Sequence, residues 1–435
     1  MQKREGGIKY MISSRERVNL ALNHQEPDRV PLDLGGSMVT GMHVSTVYKL
    51  RQALGLDPPD TPVKVIEPYQ MLGEIKPDLI ESLGVDVVSL VSPKTMFGFK
   101  NEGWRPWTTF DGTPVLVPAG FNTVPEPNGD LLMYPEGDKS VPASGRMPQG
   151  GWYFDAIIRQ KPIDEDNLKV EDNLEEFVPI SEEELEHYRD EAERLYRETD
   201  KAILAGFPGL GFGDIALVPA VWLKHPKGIR DVEEWYMSTV TRRDYIYQIF
   251  ERQCEISLVN LEKLYQAVGD RVTAVLVTGT DFGAQTGPFI SPKTYRELYK
   301  PFHKEVNGWI HQHTPWKTFI HSCGSVWAFI PDWIEAGFDI LNPVQCTAAD
   351  MDPAKLKGKF GDRITFWGGG VDTQHTLPFG TPDEVRTEVH ERIKIFSPGG
   401  GFVFNTIHNV QPQTPVENVL ALYETIREFG HYAHR

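Results

Sequence analysis

At 435 residues the chain is long enough to bury a large hydrophobic core in one domain or two, and three cysteines, Cys254, Cys323 and Cys346, are too few for a disulfide scaffold. With 61 acidic against 44 basic side chains the formal charge is -17, which argues against a generic nucleic-acid or anionic-membrane surface. The opening MQKREGGIKY has no following apolar run of the secretory type, and no window approaches 18 apolar residues, so a cytoplasmic protein without a membrane span is expected.

The first element is a surface helix over ISSRERVNLALNHQ, ending before Pro27, followed by a short strand and glycine stop in RVPLDLGG. A second helix is read in VSTVYKLRQALG, then a third in PYQMLGEIKPDLIESLG leading into the strand VDVVSL. Residues 100–175 break this rhythm. Short aromatic and aliphatic runs alternate there with D-G and N-G turn signals, predicting small antiparallel hairpins in an insertion. The acidic SEEELEHYRDEAERLYRETD returns the chain to helix as a solvent-facing element.

Apolar strands then recur at 202–207, 272–278, 318–321, 338–342, 364–368 and 401–405, with room for a helix in each interval. Together with LDLG and VDVVSL they make eight, which predicts an α/β fold, a (β/α)8 TIM barrel in one domain over 1–435; a doubly wound sheet is the alternative. Barrel chemistry gathers just beyond the strands' C-terminal ends. The polar residues there are Asp33, Asp281, His321, Cys323, Asn342, Gln345, Asp372 and His408.

His321 and Cys323 carry the sharpest signal, because imidazole and thiolate are both zinc ligands and the pair sits where a strand gives way to Gly324. His408 is the expected third ligand, with Cys346 as a substitute or neighbour, and a fourth position would stay open for substrate or water. A satisfied core histidine beside a small buried cysteine is the plainer alternative. Asp281 and Asp372 are candidates for acid, base or orienting roles, with loop or helix capping as the competing assignment; Asn342 and Gln345 could offer directed hydrogen bonds. GGG at 368–370 and GLGFG at 209–213 could bring amides near a ligand but match no nucleotide fingerprint. His311 and His313 border a helix end, and Tyr295 with Tyr299 form a packing stripe.

SRERVNLALNHQEPDRVPLDLGG, FISPKTYRELYKPFHKEVN, FIHSCGS, LNPVQ, DRITFWGGGVDTQHTLPFGTPDEV and QPQTPVENV, in this order across residues 12–430, resemble the uroporphyrinogen decarboxylase superfamily and, more narrowly, its cobalamin-associated methyltransferase branch. The resemblance implies a (β/α)8 barrel. In that branch a His-x-Cys element and a later cysteine bind zinc; His321 and Cys323 match the first, and His408 stands at the later cysteine's place. The expectation is zinc-dependent methyl transfer between a small methyl donor or acceptor and a corrinoid carried by a partner protein, since no D-x-H-x-x-G cobalamin motif occurs in this chain. A homodimer is a family-informed possibility. The opening VPLDLGGSMVTGMH lacks the arginine-rich motif of the true decarboxylases, which disfavours porphyrinogen as substrate. A carboxy-lyase of the same superfamily and a non-catalytic ligand-binding barrel are the alternatives.

Overall fold

The computed structural model describes residues 12–432; the opening decapeptide, read above for a secretory signal, lies outside them. Seven parallel strands run side by side in chain order: Val87–Leu90, Ala202–Gly206, Ala274–Thr278, Lys317–His321, Ile340–Asn342, Thr365–Trp367 and Phe402–Val403. The expected eighth strand, LDLG, shrinks to a bridge. Leu32 pairs in parallel with Phe404, Phe404 N donates to Pro31 O at 2.8 Å, and Asp33 N donates to Phe404 O at 2.9 Å. On its other side Leu32 O accepts from Asp86 N at 2.8 Å, so this segment joins the two edges of the curled sheet and completes the barrel. Pro31 cannot donate to a ladder and Gly35 turns the chain away at φ +82°, which limits the segment to one pairing.

Side chains alternate along each strand between two apolar layers. Val87, Ala202, Leu204, Ala274, Phe319, Ile340, Trp367 and Val403 pack together as the inner layer. Val88, Ile203, Val275, Val277, Ile320, Leu341, Phe366 and Phe402 join the larger cluster shared with the surrounding helices. The Ser14–Leu22 helix exposes Glu16 and Asn19 as a surface helix should, but its inner face reaches further than its mixed composition suggests. Its Val18 and Leu22, one turn apart, pack into the inner layer of the barrel. Arg17 is buried beside them because Asp28 and Asp86 bind its guanidinium at 2.6 and 2.7 Å.

The third expected helix is much shorter than the periodicity suggested. Pro77 starts it, Gly84 at φ +74° ends it, and only Pro77–Leu83 is helical. Its expected first half instead contributes the Leu72–Gly73 strand, which pairs antiparallel with Val63–Glu67. That second strand lies ahead of residue 100 and was missed, being a short half-buried run with a lysine in it. Arg105–Thr108 and Pro114–Val117 form a hairpin on its far side, and Leu131–Met133, Gly145–Met147 and Asp155–Ala156 form a separate antiparallel sheet. The acidic helix, Glu182–Glu198, begins at a Ser181–Glu184 capping box and turns Tyr188, Ala192 and Leu195 inward.

Asp86 is the hub of the barrel's closure. Its carboxylate is fully buried and accepts from Arg17 Nη1 at 2.7 Å, from Arg29 at 2.6 and 2.9 Å, and from Leu32 N at 2.9 Å. Asp86→Asn would strip Arg29 of its carboxylate and leave Arg17 with Asp28 alone, so a loss of about 2–4 kcal/mol in unfolding free energy is expected from denaturant titration. A loss below about 1 kcal/mol would show that this ion cluster does not hold the closure.

Candidate metal centre

The Lys317–His321 strand delivers His321 and, two residues on, Cys323 to the C-terminal end of the barrel. His408 comes from the loop after Phe402–Val403, held there by Ile407 N donating to Val371 O at 3.1 Å. The three ligand atoms all lie within 4.8 Å of one another. His321 and His408 face each other edge-on with ring centroids 5.7 Å apart, and Cys323 Sγ is 3.4 Å from His321 Nε2. Residues 87 positions apart in the chain thus meet because their strands share one sheet.

Burial sets the protonation state of the donors. It lowers the pKa of both His321 and His408 to about 4, so each ring is neutral at pH 7 with a nitrogen lone pair available. Burial and the neighbouring Asp281 raise the Cys323 thiol well above its usual range. Two imidazoles and a thiol form a donor set suited to zinc, whose tetrahedral ligands stand roughly 3.3–3.8 Å apart at metal distances of about 2.0–2.3 Å. His321 Nε2 and Cys323 Sγ already stand at that spacing, and with all three donors within 4.8 Å of one another a small inward shift would let the cluster hold a metal ion.

The loops beneath the cluster are fused by close contacts. Asp281 Oδ1 accepts from Cys323 N at 2.6 Å, Phe282 N donates to Ser322 Oγ at 2.9 Å, and Ser325 N donates to Ala284 O at 2.8 Å. Gly324, at φ +86°, leaves no room for a side chain, because a β-carbon there would lie 2.2 Å from Gly283 O. Gln345 accepts from Gly324 N through Oε1 at 2.7 Å. Asn342 is fully buried and meets His321 rather than the open side of the site, with Oδ1 2.6 Å from His321 Nδ1.

Asp372 is engaged in its own loop. Its carboxylate accepts from Gln374 N at 2.7 Å and pairs with His375 Nδ1 at 2.9 Å. Cys346 bonds locally to Val344 O and is outside the cluster of three. The glycines at 368 and 370 serve packing, since β-carbons there would meet Pro343 O and Phe404 Cζ, both at 2.3 Å. His311 pairs with Asp339 at 2.7 Å, while Tyr295 and Tyr299 stack within a buried aromatic cluster.

Asp214 went unnoticed in the sequence, although GFGD follows the AILAGF strand as the other site residues follow theirs. Its carboxylate accepts from Ala216 N at 2.9 Å, and burial with the nearby Asp281 raises its pKa to about 7. Burial also raises the Asp281 carboxyl above the usual range. Asp33, at the barrel's closing segment, is pushed up to about 6 by burial despite accepting from Trp367 Nε1 at 2.8 Å and Gly36 N at 2.8 Å. The mouth therefore gathers several carboxyls, and residues 31–43 add no cation.

The profile described as Uroporphyrinogen decarboxylase (URO-D) matches residues 154–429, a span that includes six of the seven strands and every ligand of the cluster. The chain belongs to this family. A URO-D relative from Pseudoalteromonas translucida is 27% identical over 187 residues, covering 40% of this chain and 49% of its own length. Another from Chlorobium phaeobacteroides is 29% identical over 145 residues, covering 32% of this chain and 38% of its own length. The chain thus spans about half or less of the curated URO-D relatives it matches. A solved structure named as a methyltransferase from Methanosarcina mazei has a TM-score of 0.53 over 96% of this chain and 99% of its own, at 16% identity, which is a likeness of fold alone.

These relatives overturn the expectation of corrinoid-linked methyl transfer. Family profile and curated relatives alike carry the decarboxylase description, and the methyltransferase likeness is too distant in sequence to carry chemistry across. Among the described residues, no helix is long and apolar enough to cross a membrane.

Metal binding must displace the Cys323 proton, so affinity should rise up to about tenfold per pH unit across neutral pH and collapse as both histidines protonate near pH 4. Zinc titrations at pH 6, 7 and 8, with the proton count taken from two buffers of different ionisation enthalpy, measure this directly. His321→Ala, Cys323→Ser and His408→Ala should each abolish stoichiometric zinc by elemental analysis. Full retention in any two of them would mean that the metal sits elsewhere.

Proposed function

We propose that the chain is a carboxy-lyase of the URO-D superfamily that removes CO2 from a small organic acid at the mouth of the barrel. The family match over residues 154–429 carries this reading, because it spans the strands that present the site. His321, Cys323 and His408 would hold zinc. When bound there, the ion would supply a Lewis acid for a substrate oxygen that takes up the electron pair left by departing CO2.

The remaining work falls to the chain's own side chains. Loss of CO2 leaves a carbon that must gain a proton, and Asp281, whose carboxyl is raised by burial, is the acid nearest the cluster. Its Oδ1 already accepts from Cys323 N, which fixes the carboxyl beside the ligand loop. His321 is buried, while Cys323 and His408 keep partial exposure through which a substrate can reach the cluster. The substrate is small and carries few charges, since residues 31–43 offer no arginine or lysine to a polycarboxylate. A 3-oxo acid fits this chemistry, having a carbonyl oxygen two bonds from the carboxylate-bearing carbon.

Zinc-loaded protein should release CO2 from 3-oxo acids above the spontaneous rate, and uroporphyrinogen should not be turned over. Asp281→Asn should keep the metal and lower the rate by about 10²–10⁴. With zinc shown to be bound, absence of metal-dependent CO2 release from a panel of 3-oxo acids, or turnover of uroporphyrinogen, would reject the reading.

A further inference from the structure

Asn342 lies directly beside His321, because Cα pairing between the parallel strands Lys317–His321 and Ile340–Asn342 matches these two residues. Both side chains are buried, so neither relies on solvent for a partner. The Asn342 amide has two neighbours. Nδ2 is 2.7 Å from the main-chain carbonyl oxygen of Trp367, and Oδ1 is 2.6 Å from His321 Nδ1. A carbonyl oxygen only accepts, so the Trp367 contact requires the amide NH2 on that side and leaves the amide oxygen facing histidine. That oxygen in turn only accepts, which places the imidazole proton on Nδ1.

We propose that Asn342 is a positioning residue that locks His321 in the Nδ1-protonated tautomer and aims the free Nε2 lone pair at the Cys323 and His408 side of the cluster. This deepens the metal-centre reading above and rests on it. Nε2 is the ring nitrogen 3.4 Å from Cys323 Sγ, so the lock presents the correct atom for sharing an ion with the thiolate. Trp367 is itself fixed from the other side, since its Nε1 donates to Asp33 Oδ2 at 2.8 Å and Asp33 N donates to Phe404 O at 2.9 Å. The orientation of one metal ligand is therefore set by a buried chain of hydrogen bonds reaching the segment that closes the barrel.

The test uses the full-length protein with 15N-labelled histidine, the His321 signals being identified by their loss in His321→Gln. In the metal-free wild type, His321 should show a protonated Nδ1 and an unprotonated Nε2. Asn342→Leu, which removes the acceptor, should weaken zinc binding by about 10–100-fold in competition with a chelator, whereas Asn342→Asp, which keeps one, should restore most of that affinity. A wild-type spectrum with the proton on Nε2 would overturn the proposal. So would a folded Asn342→Leu protein that binds zinc as tightly as the wild type. Should that variant fail to fold, the wild-type spectrum decides alone. Neither measurement involves turnover, so a failure of the carboxy-lyase reading and a failure of the lock are separately visible.

Discussion

The carboxylate of Asp86 sits where three parts of the barrel must meet, and closure of the sheet that carries the loops of the opposite end follows from its being satisfied. It takes the guanidinium of Arg17 from the first helix and that of Arg29 from the segment entering the barrel, while its second oxygen also accepts the amide of Leu32. Those contacts carry Leu32 to the edge strand Val87–Leu90, and the pairing of Leu32 with Phe404 carries it to the other edge. A buried anion with two cations and an amide is costly to dismantle, since each partner left behind is a desolvated charge. The loops bearing Cys323 and His408 come together through the strand order of that same sheet, which no local sequence preference could fix.

At that far end, burial does the chemical tuning. The same desolvation that keeps His321 and His408 neutral raises the Asp281 carboxyl and the Cys323 thiol above their usual ranges. A divalent cation reverses that logic by favouring the thiolate. The fold is shared with a methyltransferase structure, yet the family relationship runs to decarboxylases. Similar barrels host unrelated reactions, and residue identity at the mouth weighs more than backbone likeness.

Much of the barrel was legible because buried parallel strands are continuous apolar runs, and all seven fall within two residues of the expected spans. The closing segment was harder. LDLG has the look of a strand, but its pairing is decided by distant edges and by a proline and a glycine on either side. The inner face of the first helix was hidden for a related reason: Arg17 is buried by carboxylates 11 and 69 residues away. His321, Cys323 and His408 were readable from position after a strand combined with ligand chemistry. Asp214 was not singled out because its glycine-rich surroundings suggested backbone binding rather than a side chain. Nor could sequence show that Asn342 faces a ligand and Asp372 its own loop, since both stand at equivalent strand ends and only side-chain orientation separates them.

The glycine contact between the loops bearing Asp281 and Cys323 has a thermodynamic consequence. With Gly324 pressed against Gly283, and Cys323 N bonded to Asp281, those loops behave as one rigid block. The conformational entropy of bringing an acid and a thiol together is therefore met during folding, and an incoming ion or substrate encounters groups that are already ordered. Affinity at such a site depends on how well a ligand fits a fixed arrangement, and selectivity comes from the shape that arrangement excludes.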